Sequence, residues 1–68
     1  MNKFSERLKE LRTEKHLTQA ELAQQCGVLE RTISYWECGE RECDLTMVII
    51  LANIFGCTTD YLLGKTDF

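Results

Sequence analysis

Proline is missing from this chain of 68 residues, and histidine and tryptophan occur once each. A chain without proline has nothing that removes a backbone donor from a helix interior. With its long apolar periodicities, that favours an all-helical bundle. The lone histidine, His16, cannot assemble a convergent nucleophile and base, so the chain is not read as an enzyme. At the end of a helical stretch, His16 reads as a helix-terminal residue, not a ligand or base. No motif implies a cofactor, a metal or a small-molecule substrate.

Long hydrophobic runs are lacking too. The longest, residues 45–57, is broken by Thr46, Asn53 and Gly56 and falls well short of the ~20 residues a membrane span needs. The N-terminus is charged from Lys3 onward and has no apolar segment of the signal-peptide kind. The expectation is one cytoplasmic domain over residues 1–68, without a membrane partner. That length is near the limit at which a single core suffices without staples.

A basic excess is the third absence: 8 Lys and Arg face 11 Asp and Glu, a net charge of −3. Its distribution is uneven. Lys3, Arg7, Lys9, Arg12 and Lys15 against Glu6, Glu10 and Glu14 leave residues 3–15 at +2, whereas Glu37, Glu40, Glu42 and Asp44 against Arg41 leave residues 37–44 at −3. Because phosphate neutralisation dominates nucleic-acid affinity, the acidic segment lowers what a single copy could achieve on DNA.

Four cysteines are present. Nothing directs the chain to an oxidising compartment, so two disulfides are not expected. Cys38 and Cys43 stand five apart, but Cys26 and Cys57 supply no second short spacing for a zinc site. Cys26 and Cys57 read as small buried hydrophobes. A metal- or thiol-responsive role for Cys38 and Cys43 stays open as a minor alternative.

What is present is organised around residues 18–39. Thr18-Gln19-Ala20-Glu21 has the form of a capping box. Leu22 and Cys26 follow at helical spacing, and Gly27 stands where a helix C-terminus enters the left-handed region. After Val28 and Leu29 a second helix is predicted over about residues 30–38, closed by Gly39. It carries Ile33 and Trp36 on one face and Glu30, Arg31, Ser34 and Tyr35 on the other. Two short helices joined in this way can present a polar face narrow enough for the major groove.

In these residues the chain resembles the lambda-repressor-like helix-turn-helix family of the Xre/Cro type. Gln19, Leu22, Ala23, Gly27, Val28, Ile33, Trp36, Glu37 and Gly39 match its motif. Phe4, Leu8, Leu11 and Arg12 resemble its first helix, and Asp60-Tyr61-Leu62-Leu63-Gly64 its last. The resemblance covers nearly the whole chain and implies an all-α, five-helix DNA-binding domain with the helix-turn-helix at helices 2 and 3. It also implies an ion pair between Arg12 and Glu37, a DNA-facing Gln19 at the start of the second helix, and a loop near the DNA backbone where Arg41 is the phosphate contact. Glu30, Arg31 and Tyr35 are the expected base contacts. Arg31 suits guanine and Glu30 suits cytosine, and Thr32 and Ser34 help to position the backbone. Leu29 departs from the family by taking a position where Ser, Thr, Asp or Asn is preferred.

The first helix is expected over about residues 3–15, with Phe4, Leu8 and Leu11 inward and Glu6–Lys9 and Arg7–Glu10 as outer-face pairs. Asp44 is a good N-cap for a fourth helix, residues 45–55, whose inward face is read as Leu45, Val48, Ile49, Ala52 and Phe55 with Leu51 beside them. Met47, Ile50 and Ile54 are then left over as a second apolar stripe. Thr58 caps a short fifth helix. The expected partner surface is a two-fold homodimer seam containing Met47, Ile50, Ile54, Tyr61 and Phe68. The function expected is a sequence-specific duplex DNA-binding regulator, a repressor acting as a homodimer on a palindromic operator. The alternative is a protein-interaction module of the same fold, anti-repressor or antitoxin-like, with weak or no DNA binding.

Overall fold

A computed structural model describes residues 3–41 and 43–67; Phe68, one residue of the expected seam, lies outside them. Among the described residues the elements are five helices and no strand: α1 (Phe4–Glu14), α2 (Gln19–Cys26), α3 (Glu30–Cys38), α4 (Leu45–Phe55) and α5 (Thr59–Leu63). Helix α1 packs on α3 and α5, α2 on α3 and α4, and α4 on α5. No helix of the described residues is long and apolar enough to cross a membrane.

Local sequence sets most of the helix boundaries. The capping box at α2 is complete: Thr18 Oγ1 accepts from the Glu21 amide at 3.1 Å, and the Glu21 carboxylate accepts from the Thr18 amide at 2.8 Å. Asp44 accepts from the Met47 amide at 2.8 Å and Thr58 from the Tyr61 amide at 3.0 Å. Each such cap satisfies one helix-end donor and is worth about 1 kcal/mol. Helix α1 ends differently. His16 has φ 59°, the left-handed conformation that glycine takes at the ends of the other helices. An L-residue there carries a steric penalty of about 1–2 kcal/mol.

The core is one cluster drawn from every helix. Leu8, Leu22, Ile33, Leu51 and Leu62 are fully buried, and Phe4, Ala23, Trp36, Val48, Ala52 and Phe55 complete it. Full burial of a large aliphatic side chain is worth about 1.5–3 kcal/mol. Phe4 meets Trp36 edge to face, with ring centroids 6.4 Å apart at 67°, an arrangement that aromatic quadrupoles favour. Trp36 is thus a core residue joining α1 to α3, as its spacing from Ile33 implies.

Two assignments of faces are corrected. Helix α4 turns Val48, Leu51, Ala52 and Phe55 inward with Met47 and Ile54 packed alongside, while Leu45 and Ile49 are 70% and 47% exposed. This helix is apolar almost all the way round, so periodicity alone could not choose the buried stripe. Arg7 is the second correction. It is buried, not paired with Glu10 on the outer face. Its guanidinium donates to the carbonyls of Tyr61 and Thr66, reaches Asp67 at 3.4 Å, and lies 4.2 Å from the Tyr61 ring centroid. Arg7 therefore ties α1 to α5 and to the segment after it. Phe4, Arg7 and Leu11 follow one another at spacings of three and four and share one side of the helix, which permits the inward placement without requiring it.

The N-terminal end of α1 also meets the end of α5 directly. The Lys3 amide donates to the Leu63 carbonyl at 3.3 Å. Gly64, at φ 87°, allows that approach, since a Cβ there would lie 2.8 Å from Lys3 Cβ.

Candidate nucleic-acid interface

Helix α3 is held from behind by Ile33 and Trp36, which are buried against α1 and α2. The turn before it comprises Gly27, at φ 75°, and Val28 and Leu29. The Val28 amide donates to Ala23 O at 3.0 Å, which closes α2. Nothing lies within 4 Å of where a Gly27 Cβ would project, so glycine is needed there for its conformation and not for space. Leu29 occupies the N-cap position without a side-chain hydrogen bond and is 59% exposed, yet α3 still begins at Glu30. Burial of Ile33 and Trp36 outweighs the missing cap.

The other side of α3 faces outward. Glu30 and Arg31 are exposed on its first turn, and Thr32, Ser34 and Tyr35 are partly exposed. Arg41, in the loop beyond α3, is exposed, and its guanidinium carbon sits 4.9 Å from the centroid of the Tyr35 ring. Arg31, Tyr35 and Arg41 thus belong to one outward surface, with no other part of the described chain over Glu30 or Arg31.

A three-helix polar network fixes how α3 sits. Glu37, on α3, accepts from Arg12 Nε at 2.6 Å and Arg12 Nη2 at 3.2 Å. Arg12 Nη1 also donates to the Leu17 carbonyl at 2.8 Å. The Arg12 and Glu37 side chains are only 13% and 4% exposed. The pair implied by the resemblance is therefore present and nearly dry. Its third member is Gln19, whose Nε2 donates to Glu37 Oε1 at 3.1 Å. The resemblance implies a DNA-facing Gln19 at the start of α2. One of its two amide N–H donors is used in that bond, which leaves the second N–H and the carbonyl for a further partner.

The expected seam residues are dispersed in burial. Met47 and Ile54 pack partly into the core, Ile50 is half-buried, and Tyr61 lies beneath Arg7. Tyr61 also lines a shallow, largely apolar groove with Leu11, Gly56, Cys57 and Thr58.

All four cysteines are free thiols. Burial, the Asp44 carboxylate and the neighbouring Cys26 push the Cys43 thiol up to about 12. Burial also raises the Cys26 and Cys57 thiols, for Cys57 against a backbone hydrogen bond that opposes the shift. Thiol exchange needs the thiolate, so the Cys43 thiol is a slow nucleophile at neutral pH. Among the described residues no three His, Cys, Asp or Glu side chains gather as a metal-holding group.

A buttressed outward helix, a capped helix before it and a glycine turn between them define a helix-turn-helix domain of the kind that reads duplex DNA. The helix-turn-helix family profile matches residues 8–62, and the chain belongs to the lambda-repressor-like branch of that family. It is 40% identical over 63 residues to the SPbeta prophage-derived HTH-type transcriptional regulator YonR of Bacillus subtilis, covering 93% of this chain and 58% of that protein. It is 39% identical over 64 residues to the HTH-type transcriptional activator BcrR of Enterococcus faecalis, covering 94% of this chain and 31% of that one. Among solved structures, the P22 c2 repressor bound to a synthetic operator superposes with a TM-score of 0.86 at 32% identity, covering 93% of this chain and 96% of that one. The chain spans 31–58% of the length of the curated relatives it matches. The domain is of the transcriptional-regulator class, as the names of these relatives have it.

Proposed function

We propose that this domain binds duplex DNA sequence-specifically as a homodimer on a roughly palindromic operator and represses transcription. The observation that carries the reading is the exposure of Glu30 and Arg31 on the first turn of an α3 whose opposite side is locked into the core. Arg31 is the only cation on that helix, and a guanidinium offers the fork that guanine N7 and O6 accept. Gln19 with its remaining amide donor and Arg41 with its exposed guanidinium serve the phosphates. Thr32 and Ser34 flank the readers. The P22 c2 repressor, similar along almost its whole length, was solved with operator DNA.

The dimer is supported by apolar surface that a monomer leaves in water: Leu45 and Ile49 on α4, half-buried Ile50 beside them, and the groove at Tyr61. Two copies would set their recognition helices ~34 Å apart, one turn of DNA. Doubling the contacts also offsets a net charge of −3, which weakens a single copy.

Selection of bound sequences from a random duplex pool, at stated salt, tests this directly. A two-fold symmetric consensus with half-sites one turn apart, and affinity falling steeply with salt, is the expected result. Absence of binding at low salt would favour the alternative of a protein-interaction module, which the acidic balance of residues 37–44 supports. A monomer by sedimentation at high micromolar concentration would remove the dimer.

A further inference from the structure

Arg41 is the only cation among residues 37–44, a segment with four carboxylates. Its guanidinium nonetheless lies over the Tyr35 ring, 4.9 Å from the centroid. We infer that Arg41 is a positioning residue: it fixes the Tyr35 side chain on the outward face of α3 and so sets how sharply Tyr35 discriminates among base pairs. This rests on the DNA-binding reading above and adds to it a coupling between the loop and the recognition helix.

The chemistry follows from the shape of the two groups. A partly exposed tyrosine rotates about two torsions, and a ring that samples several rotamers averages over the edges it could read. A planar cation against one face removes much of that freedom. A guanidinium that meets a ring through its face keeps its five N–H donors pointing outward in its own plane. Arg41 can therefore hold the ring and present its edge to a backbone phosphate at once. Gripping the phosphate immobilises Arg41, and Arg41 immobilises Tyr35. A phosphate contact, normally blind to sequence, would in this way sharpen base readout.

Lysine separates the two roles, since Arg41→Lys keeps the positive charge but loses the planar stack. Binding of the duplex selected from the random pool, and of its single-base-pair variants, is measured at two salt concentrations for the parent, Arg41→Lys, Arg41→Ala and Tyr35→Leu. With Arg41→Lys the salt dependence equals the parent's, and discrimination at one base pair in each half-site falls about two- to fivefold, the scale of an exposed cation–π contact. Arg41→Ala loses that discrimination and also reduces the salt slope by about one phosphate contact. In the Tyr35→Leu background, Arg41→Lys changes discrimination no further. Parent-like discrimination in Arg41→Lys overturns the inference, as does additivity of the two substitutions.

The stack itself is read without DNA. In the free protein the Arg41 side-chain protons are shifted upfield by the ring, and Tyr35→Leu restores them. If they are unshifted, the inference fails while DNA binding can stand. If they are shifted but the parent domain binds no duplex at low salt, the DNA reading fails and takes the readout role of Arg41 with it. Both positions lie on the outer surface, and thermal melts of the variants monitor folding.

Discussion

Replacing Arg12 by alanine removes one side of a nearly dry ion pair and leaves Glu37, 4% exposed, with the Gln19 amide as its one remaining side-chain partner among the described residues. The Leu17 carbonyl loses a donor as well. Breaking a buried pair from one side costs about 3–5 kcal/mol, because the orphaned charge can neither return to water nor find another cation. A domain of this length has in total roughly 3–10 kcal/mol of stability, so Arg12→Ala brings the fold close to its limit. Taking ~3 kcal/mol, the melting temperature drops by about 12–24 °C for a domain of this size. Urea denaturation followed by circular dichroism at neutral pH measures the loss. The companion double variant Arg12→Met with Glu37→Leu removes both charges and recovers more than half of it, since an apolar replacement of similar volume is often close to neutral. A loss below about 1 kcal/mol for Arg12→Ala, the range of exposed pairs, would refute the reasoning. The network would then be ornament and not the tie among α1, α2 and α3.

Three further outcomes are expected. Gly64→Ala destabilises more than Gly27→Ala. Both adopt positive φ, costing an L-residue about 1–2 kcal/mol, but only Gly64 lacks room for a Cβ, with Lys3 Cβ 2.8 Å away; paired denaturation curves rank the two. His16→Gly stabilises by about 0.5–1 kcal/mol, because relief of the left-handed strain at φ 59° exceeds the added freedom of the unfolded chain. Cys43 loses stability on the alkaline side. Its thiol is raised from 9.0 to about 12 in the folded state, so the unfolded chain releases the proton first. That contribution is fully present below about pH 9 and is lost as pH rises toward 12. Cys43→Ala flattens the decline in a pH series of unfolding curves, and in the parent an exposed Cys38 reacts with a thiol reagent well before Cys43.

Local signals account for what the amino-acid order alone made readable. Thr18 with Glu21, Asp44 and Thr58 each bond an amide within three residues, so the starts of α2, α4 and α5 depend on nothing distant. Glycines 27, 39, 56 and 64 close four helices for an equally local reason, their ease at positive φ. Ile33 and Trp36 three apart oriented α3, and with it Glu30 and Arg31. The Arg12–Glu37 pair was legible only through family resemblance, because 25 positions separate its members.

Packing alone decided the rest. An all-apolar helix such as α4 offers several possible inward stripes, and contact with α2 and α5 selected Val48, Leu51, Ala52 and Phe55 while leaving Leu45 and Ile49 in water. Arg7 could be drawn inside only because the carbonyls of Tyr61 and Thr66, more than fifty residues away, converge on its guanidinium and repay its desolvation. The engagement of Gln19 by Glu37 and of Tyr35 by Arg41 arises in the same way. Caps, turns and helix faces are short-range properties that a string of residues carries with it, whereas a polar side chain's partner is settled by whichever distant group the folded chain delivers to it.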